Sequence, residues 1–125
     1  MTRPTSPAEL QQNLAHFIGT TRYYRTHPNL VITDGTKYLA DEAGAYWLLD
    51  IVWSVLPKIK DDFAVLELQR KEGTSEATAH IHDGRDPQTT YHRQHIPFTD
   101  FPLEHVKLYV QDAGEHWVVM LIGEY

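Results

Sequence analysis

The chain has no cysteine, which removes disulfides, thiolate metal sites and cysteine nucleophiles from consideration. It also has no run near the roughly 18 consecutive apolar residues that a helix needs to cross a bilayer. Residues 1–7, MTRPTSP, lack the apolar stretch of a secretory signal. These absences predict a cytoplasmic protein without membrane contact. Catalytic signatures are missing too: there is no Gly-rich phosphate loop, no Gly-x-Ser-x-Gly elbow and no His-Glu-x-x-His. Serine occurs only at Ser6, Ser54 and Ser75; the first suits a helix cap and the second falls within an apolar helix. Repeats, low-complexity tracts and long linkers are absent as well. The pattern points away from an enzyme, and no cofactor is expected.

What is present suffices for one core. Of the 125 residues 42% are apolar, with three Trp and seven Tyr, so residues 1–125 are expected to form a single α+β domain, residues 1–6 being a loose arm. The net charge of −6 is unevenly placed. Residues 1–60 hold six Lys/Arg and five Asp/Glu, whereas residues 61–125 hold five against twelve. A half carrying −7 repels a phosphate backbone, which argues against direct nucleic-acid binding and leaves a basic protein as the natural partner. A merely solubilising surface is the plainer alternative.

Ser6-Pro7-Ala8-Glu9 combines a capping serine, a first-turn proline and an acid at the third position, and so opens a helix. Leu10, Leu14, Phe17 and Ile18 give it an apolar face to about Ile18, with Gly19 as a left-handed cap. Leu30-Val31-Ile32-Thr33 reads as a strand, Asp34-Gly35 as a two-residue hairpin turn with positive φ at the glycine, and Thr36–Ala40 as the return strand. A central, buried helix is expected from Asp41 or Glu42 to about Leu56, because its apolar set is too broad for a surface helix. Beyond it Phe63–Arg70, Ala77–His82, Thr89–Ile96, Val106–Gln111 and Trp117–Ile122 read as an antiparallel sheet of four or five strands. Ala64, Leu66, Leu68, Ala77, Ala79 and Ile81 face inward, and the polar third strand forms an edge.

Several segments resemble a family of small, uncharacterised bacterial and mobile-element proteins. They are Phe17-x-Gly19-Thr20 with Tyr23-Tyr24, Thr33-Asp34-Gly35 with Lys37-Tyr38-Leu39-Ala40, and Ala43-Gly44-Ala45-Tyr46-Trp47-Leu48-Leu49-Asp50. Thr99-Asp100-Phe101-Pro102-Leu103, Lys107-Leu108-Tyr109-Val110 and Glu124-Tyr125 complete the set. The resemblance implies a shared fold and a mobile-element origin, and brings no catalytic residues with it. Residues 72–94 depart most from the family, being rich in histidine and charge.

Two groups of residues stand out as candidate sites. Arg22, Tyr23, Tyr24 and Arg25, with Asp34 and Lys37 nearby, offer tyrosine contact area and directional cations for a binding surface. Only one of two adjacent tyrosines in an extended segment is easily buried, so one should face outward. His80 and His82 lie two apart on a strand and share a face; a neighbouring strand could add His92 or His95, and Asp83 or Glu67 an acid, which makes a weak metal site. Solvent-facing histidines are the alternative. Asp34 and Asp50, with Tyr23, Tyr24 and Trp47, could also line a polar pocket, unless the two aspartates merely serve a turn and a helix. The reading that accounts for most of these features is a non-enzymatic protein-interaction module, an accessory or counter-defence inhibitor of a mobile element that binds a host protein. A small metal-dependent enzyme using His80, His82 and His92, or a small-ligand binder, are the other two.

Overall fold

A computed structural model describes residues 6–125; of the expected loose arm, all but Ser6 lies outside the described residues. Helix α1 (Pro7–Leu14) starts as its sequence requires, with Ser6 Oγ accepting the Glu9 N–H at 3.2 Å and Pro7 in the first turn. It stops a turn earlier than Ile18. His16 and Phe17 bond back only three residues, to Asn13 and Leu14, and Ile18 is 81% exposed, so it adds nothing to the buried face. Gly19 is not in the left-handed region.

Strands β1 (Tyr23–His27) and β2 (Leu30–Thr33) pair antiparallel around Pro28 and Asn29. The hairpin therefore precedes β2, and Asp34-Gly35 is not its turn. Thr33 instead caps helix α2 (Asp34–Ala43), its Oγ1 accepting the Thr36 N–H at 3.2 Å, while Asp34 places negative charge at the positive helix end. The expected return strand over Thr36–Ala40 is helical because Thr36, Leu39, Ala40 and Ala43 recur at helical spacing on one buried face. Gly44, at φ 60°, ends α2 in the left-handed conformation. The long helix expected from Asp41 is thus two: Asp41 and Glu42 close α2, and α3 (Tyr46–Val55) supplies the central apolar element through Leu48, Leu49, Val52 and Val55.

The remaining strands are β3 (Phe63–Arg70), β4 (Ala77–His82), β5 (Thr90–Ile96), β6 (His105–Asp112) and β7 (Trp117–Leu121). They do not form a separate sheet of four or five. One seven-stranded sheet takes in the hairpin, in the order β1-β2-β7-β6-β3-β4-β5, and β2 and β7 run parallel while every other pair is antiparallel. As its polarity predicts, β5 is an edge. The inward set of Ala64, Leu66, Leu68, Ala77, Ala79, Ile81, Leu108 and Val110 packs in one core with Leu48, Val52 and Val55 of α3 and with Leu10 of α1. The helices cover that face alone. No described helix is long and apolar enough to cross a membrane.

Candidate functional site on the uncovered sheet face

Alternation along the strands puts Val31, Val65, Glu67, His80, His82, Lys107, Tyr109, Val118 and Met120 on the opposite face from the helices. Toward the β1 side of that face Val31, Val118 and Met120, on β2 and β7, form a small buried cluster of their own, with Tyr109 against it. Phe63, Tyr109 and Tyr125 meet next to it as an aromatic trio, with ring centroids 5.0 to 5.5 Å apart. Tyr125 stays 71% exposed. At the β1 edge Tyr23 is 60% exposed and, lying opposite Thr33 in the register, flanks the same strip.

The other part of the face is polar. Glu67 lies between two histidines: His82 Nε2 is 2.6 Å from Oε2 and His105 Nε2 is 3.1 Å from Oε1. The Gly84 N–H donates to His82 Nδ1 at 3.0 Å, which leaves Nε2 to carry the proton that the ring donates to Glu67. Partial burial opposes ionisation of Glu67, but the bonds from His82 and His105, with Lys107 nearby, hold its carboxyl below the ordinary value. The His80 ring lies tilted against that of His82, centroids 4.8 Å apart, with its Nε2 turned to Thr90 Oγ1 at 2.8 Å. Burial, then the charge of Arg93 and the neighbouring His82, hold the His80 ring below its usual value. His95 pairs with Glu76 at 2.9 Å further along.

His92 does not join this group. It lies opposite the core residue Ile81 and so points to the helix side, where Nε2 meets Gln94 at 3.0 Å. Among the described residues no group of three or more His, Asp or Glu is placed to hold a metal ion. The expected trio of His80, His82 and His92 is therefore divided between two faces.

The Arg22–Arg25 segment also divides. Tyr23 and Arg25 take the uncovered face, and Arg25 Nη1 donates to the Pro28 carbonyl. Tyr24 turns inward against the core, with Lys37 Nζ 5.3 Å from its ring centre. Lys37 in turn bonds Asp41 at 2.8 Å, and Asp41 accepts the Tyr46 hydroxyl at 2.5 Å. Burial pushes the Asp41 carboxyl up, but the bonds from Lys37 and Tyr46 outweigh it and leave the group below its ordinary value. Asp34 accepts the Thr21 and Arg22 backbone N–H groups at 3.2 and 3.0 Å, so its part is to fix the approach to β1. Asp50 bonds His27 at 2.9 Å, and the His27 ring stacks on Trp53. Asp34 and Asp50 thus bond opposite ends of the β1 segment.

Sequence reasoning missed Phe63, Tyr109, Tyr125 and His105 as site residues. Tyr109 and His105 occupy outward positions of an alternating strand, which was legible; their neighbours depend on strand register, which was not. It also missed a clamp made by the last turn of the chain. Glu124 accepts from Thr33 Oγ1 at 2.6 Å, from the Gly35 N–H at 3.0 Å and from the Leu121 N–H at 3.1 Å. Its carboxylate thus occupies the positive end of α2. Residues 33–35 and 124–125, two of the segments that carry the family resemblance, meet in this clamp.

The chain belongs to a family of unknown function, DUF6876, whose pattern matches residues 8–125. No curated protein matches it. Among solved structures it is similar to a crystal structure of a protein of unknown function from Enterococcus faecalis, at 14% identity and a TM-score of 0.53. The match covers 84% of this chain and 97% of that one. At that identity the likeness speaks for the fold alone.

Proposed function

We propose that this chain is a non-enzymatic protein-interaction module that docks a host protein on the uncovered sheet face. The observation that carries this reading is the pair of exposed tyrosine rings, Tyr23 and Tyr125, that flank the half-buried Tyr109 and the buried cluster of Val31, Val118 and Met120. Tyrosines that bury large area at low entropic cost, around a dry centre and beside a polar rim, have the composition of a protein contact. The neighbouring network of Glu67, His82 and His105 supplies that rim with fixed donors and acceptors. A basic partner suits the charge of −7 in residues 61–125. Occupying a host protein's surface is how an accessory or counter-defence factor of a mobile element would act without chemistry of its own.

Photo-crosslinking in the native host tests this. A benzoylphenylalanine at position 23 or 125 should capture the same protein, and one at Gln12, on the exposed side of α1, should not. Capture from Gln12 alone, or from none of the three, would overturn the reading.

A further inference from the structure

The sheet has a slot where β7 stops short of β6. Strand β6 pairs with β3 over its whole length down to His105, opposite Gln69. On its other edge, pairing with β7 begins only at Leu108, opposite Leu121, because residues 122–124 leave the sheet as a 3-10 turn. Residues 105–107 thus lack a strand on that side. The direction of the backbone groups follows from their neighbours: Asp112 N–H bonds Asp62 and Glu104 C=O accepts from Arg70, both on the β3 side, while Ala113 N–H bonds His116 on the β7 side. Odd-numbered residues of this strand therefore aim at β7, and the N–H and C=O of His105 face the slot.

The slot is a groove of about 380 Å3 between α1 and β6. Leu14, Leu103 and Leu121 line it along with Gln11, His105 and Lys107. It continues past His105 to Arg70, whose Nη1 holds the Phe101 carbonyl at 2.7 Å and whose buried Nε has no partner among the described residues. Along the two reaches the side chains that carry or can gain positive charge are Arg70, His105 and Lys107, and the lining carboxylate is that of Glu104; Glu67, on the neighbouring strand, is bonded to His105, while Lys107 has no ion pair among the described residues.

We infer that this slot takes an extended segment of a partner protein as an added strand, with the pattern aliphatic-acidic-aliphatic over about three residues, roughly 10 Å of chain. The inference rests on the protein-docking reading and names a second contact for it. Alternation explains the pattern. The outer two side chains turn to the helix side, onto Leu14, Leu103 and Leu121, and the middle one turns to the uncovered face, toward Lys107, the ammonium there that no ion pair holds among the described residues. Backbone bonds to His105 supply register.

The test is fluorescence anisotropy with a labelled Ser-Leu-Glu-Leu-Ser peptide, against the same peptide with Lys for Glu and one N-methylated at the central residue. Each control should bind about tenfold more weakly, as expected when a charge contact or a strand bond is removed. Ala15→Trp, which fills the slot from its rim, should abolish binding with the unfolding midpoint kept. In amide exchange His105 should be unprotected in the free protein and protected with peptide. Equal affinity for the Glu and Lys peptides, insensitivity to N-methylation, or protection elsewhere than at His105 overturns the slot. Should crosslinking from position 23 succeed while this peptide fails, the slot falls and the docking face stands.

Discussion

Gly35→Ala should destabilise this protein, although the same exchange inside an ordinary helix stabilises by about 1 kcal/mol. Gly35 sits in the first turn of α2 and its φ is not positive, so the expected conformational strain does not operate. A Cβ there would lie 2.5 Å from Leu121 Cδ1 and 2.6 Å from Glu124 Oε1. Both are ends of flexible side chains, so the added methyl displaces them instead of breaking the helix. The carboxylate then loses its bonds to Thr33, Gly35 and Leu121. Bonds to a charged group contribute about 1.5–3 kcal/mol each, but the clamp is only partly buried and water replaces much of them. A loss of about 2–4 kcal/mol for the clamp, offset by about 1 kcal/mol of helix propensity, leaves Gly35→Ala destabilised by roughly 1–3 kcal/mol. Urea unfolding of four proteins measures it: parent, Gly35→Ala, Glu124→Ala and the double variant. Glu124→Ala should cost about 2–4 kcal/mol, and adding Gly35→Ala to it should then stabilise by up to about 1 kcal/mol, the propensity gain no longer being outweighed by the clamp. If Gly35→Ala has the same effect with and without Glu124, whichever its sign, steric exclusion of the carboxylate is the wrong explanation.

Three other outcomes follow. Leu48→Ala, at a site 1% exposed, should lower stability by about 2–5 kcal/mol through the cavity it leaves; an unchanged urea midpoint would place α3 outside the core. Gly44→Ala should cost about 1 kcal/mol because φ 60° strains an L-residue, and Gly44→Asn less; equal midpoints for all three would deny the left-handed cap. Glu67 is held below its ordinary 4.5, so its contribution is complete above that pH and is lost as pH falls through and below it. The stability gap between parent and Glu67→Gln should accordingly close on acidification. His80, held below 6.5, has the same sign and contributes to a loss that begins nearer neutrality. A gap that widens in acid would contradict the Glu67 network.

How far the sequence was legible depended on the range of the forces involved. Period-two patterning placed β3, β4 and β6 and their inward residues, because alternation between core and solvent is local information. Asp34-Gly35 misled because the same four residues, Thr33 to Thr36, satisfy both a hairpin turn and a helix start; burial of Leu39, Ala40 and Ala43 selects the helix. The break at Gly44 was hidden by apolar residues continuing on both sides of it. The parallel joining of β2 to β7 was beyond reach, since it rests on a register between residues 30–32 and 117–119. The site follows the same division. That one of Tyr23 and Tyr24 faces outward, and that His80 and His82 share a face, follow from alternation. The meeting of Glu67 with His105, and of Tyr109 with Tyr125, needed strand neighbours that no local pattern supplies.

The lone parallel ladder also orders events in time. Strands β1 and β2 precede the rest of the sheet in the chain, yet the seam that joins them to it is β7, at residues 117–121. A ribosome-bound chain therefore holds a hairpin whose inner edge stays open until β7 is made, while β3, β4, β5 and β6 pair beside it as a separate patch. The two patches fuse when residues 117–121 emerge, and Glu124 locks onto α2 directly afterwards. Such late, long-range closure raises contact order and slows folding. A chain that stops before residue 117 should accumulate as an open-edged, association-prone species, and not as a slightly weakened copy of the native protein.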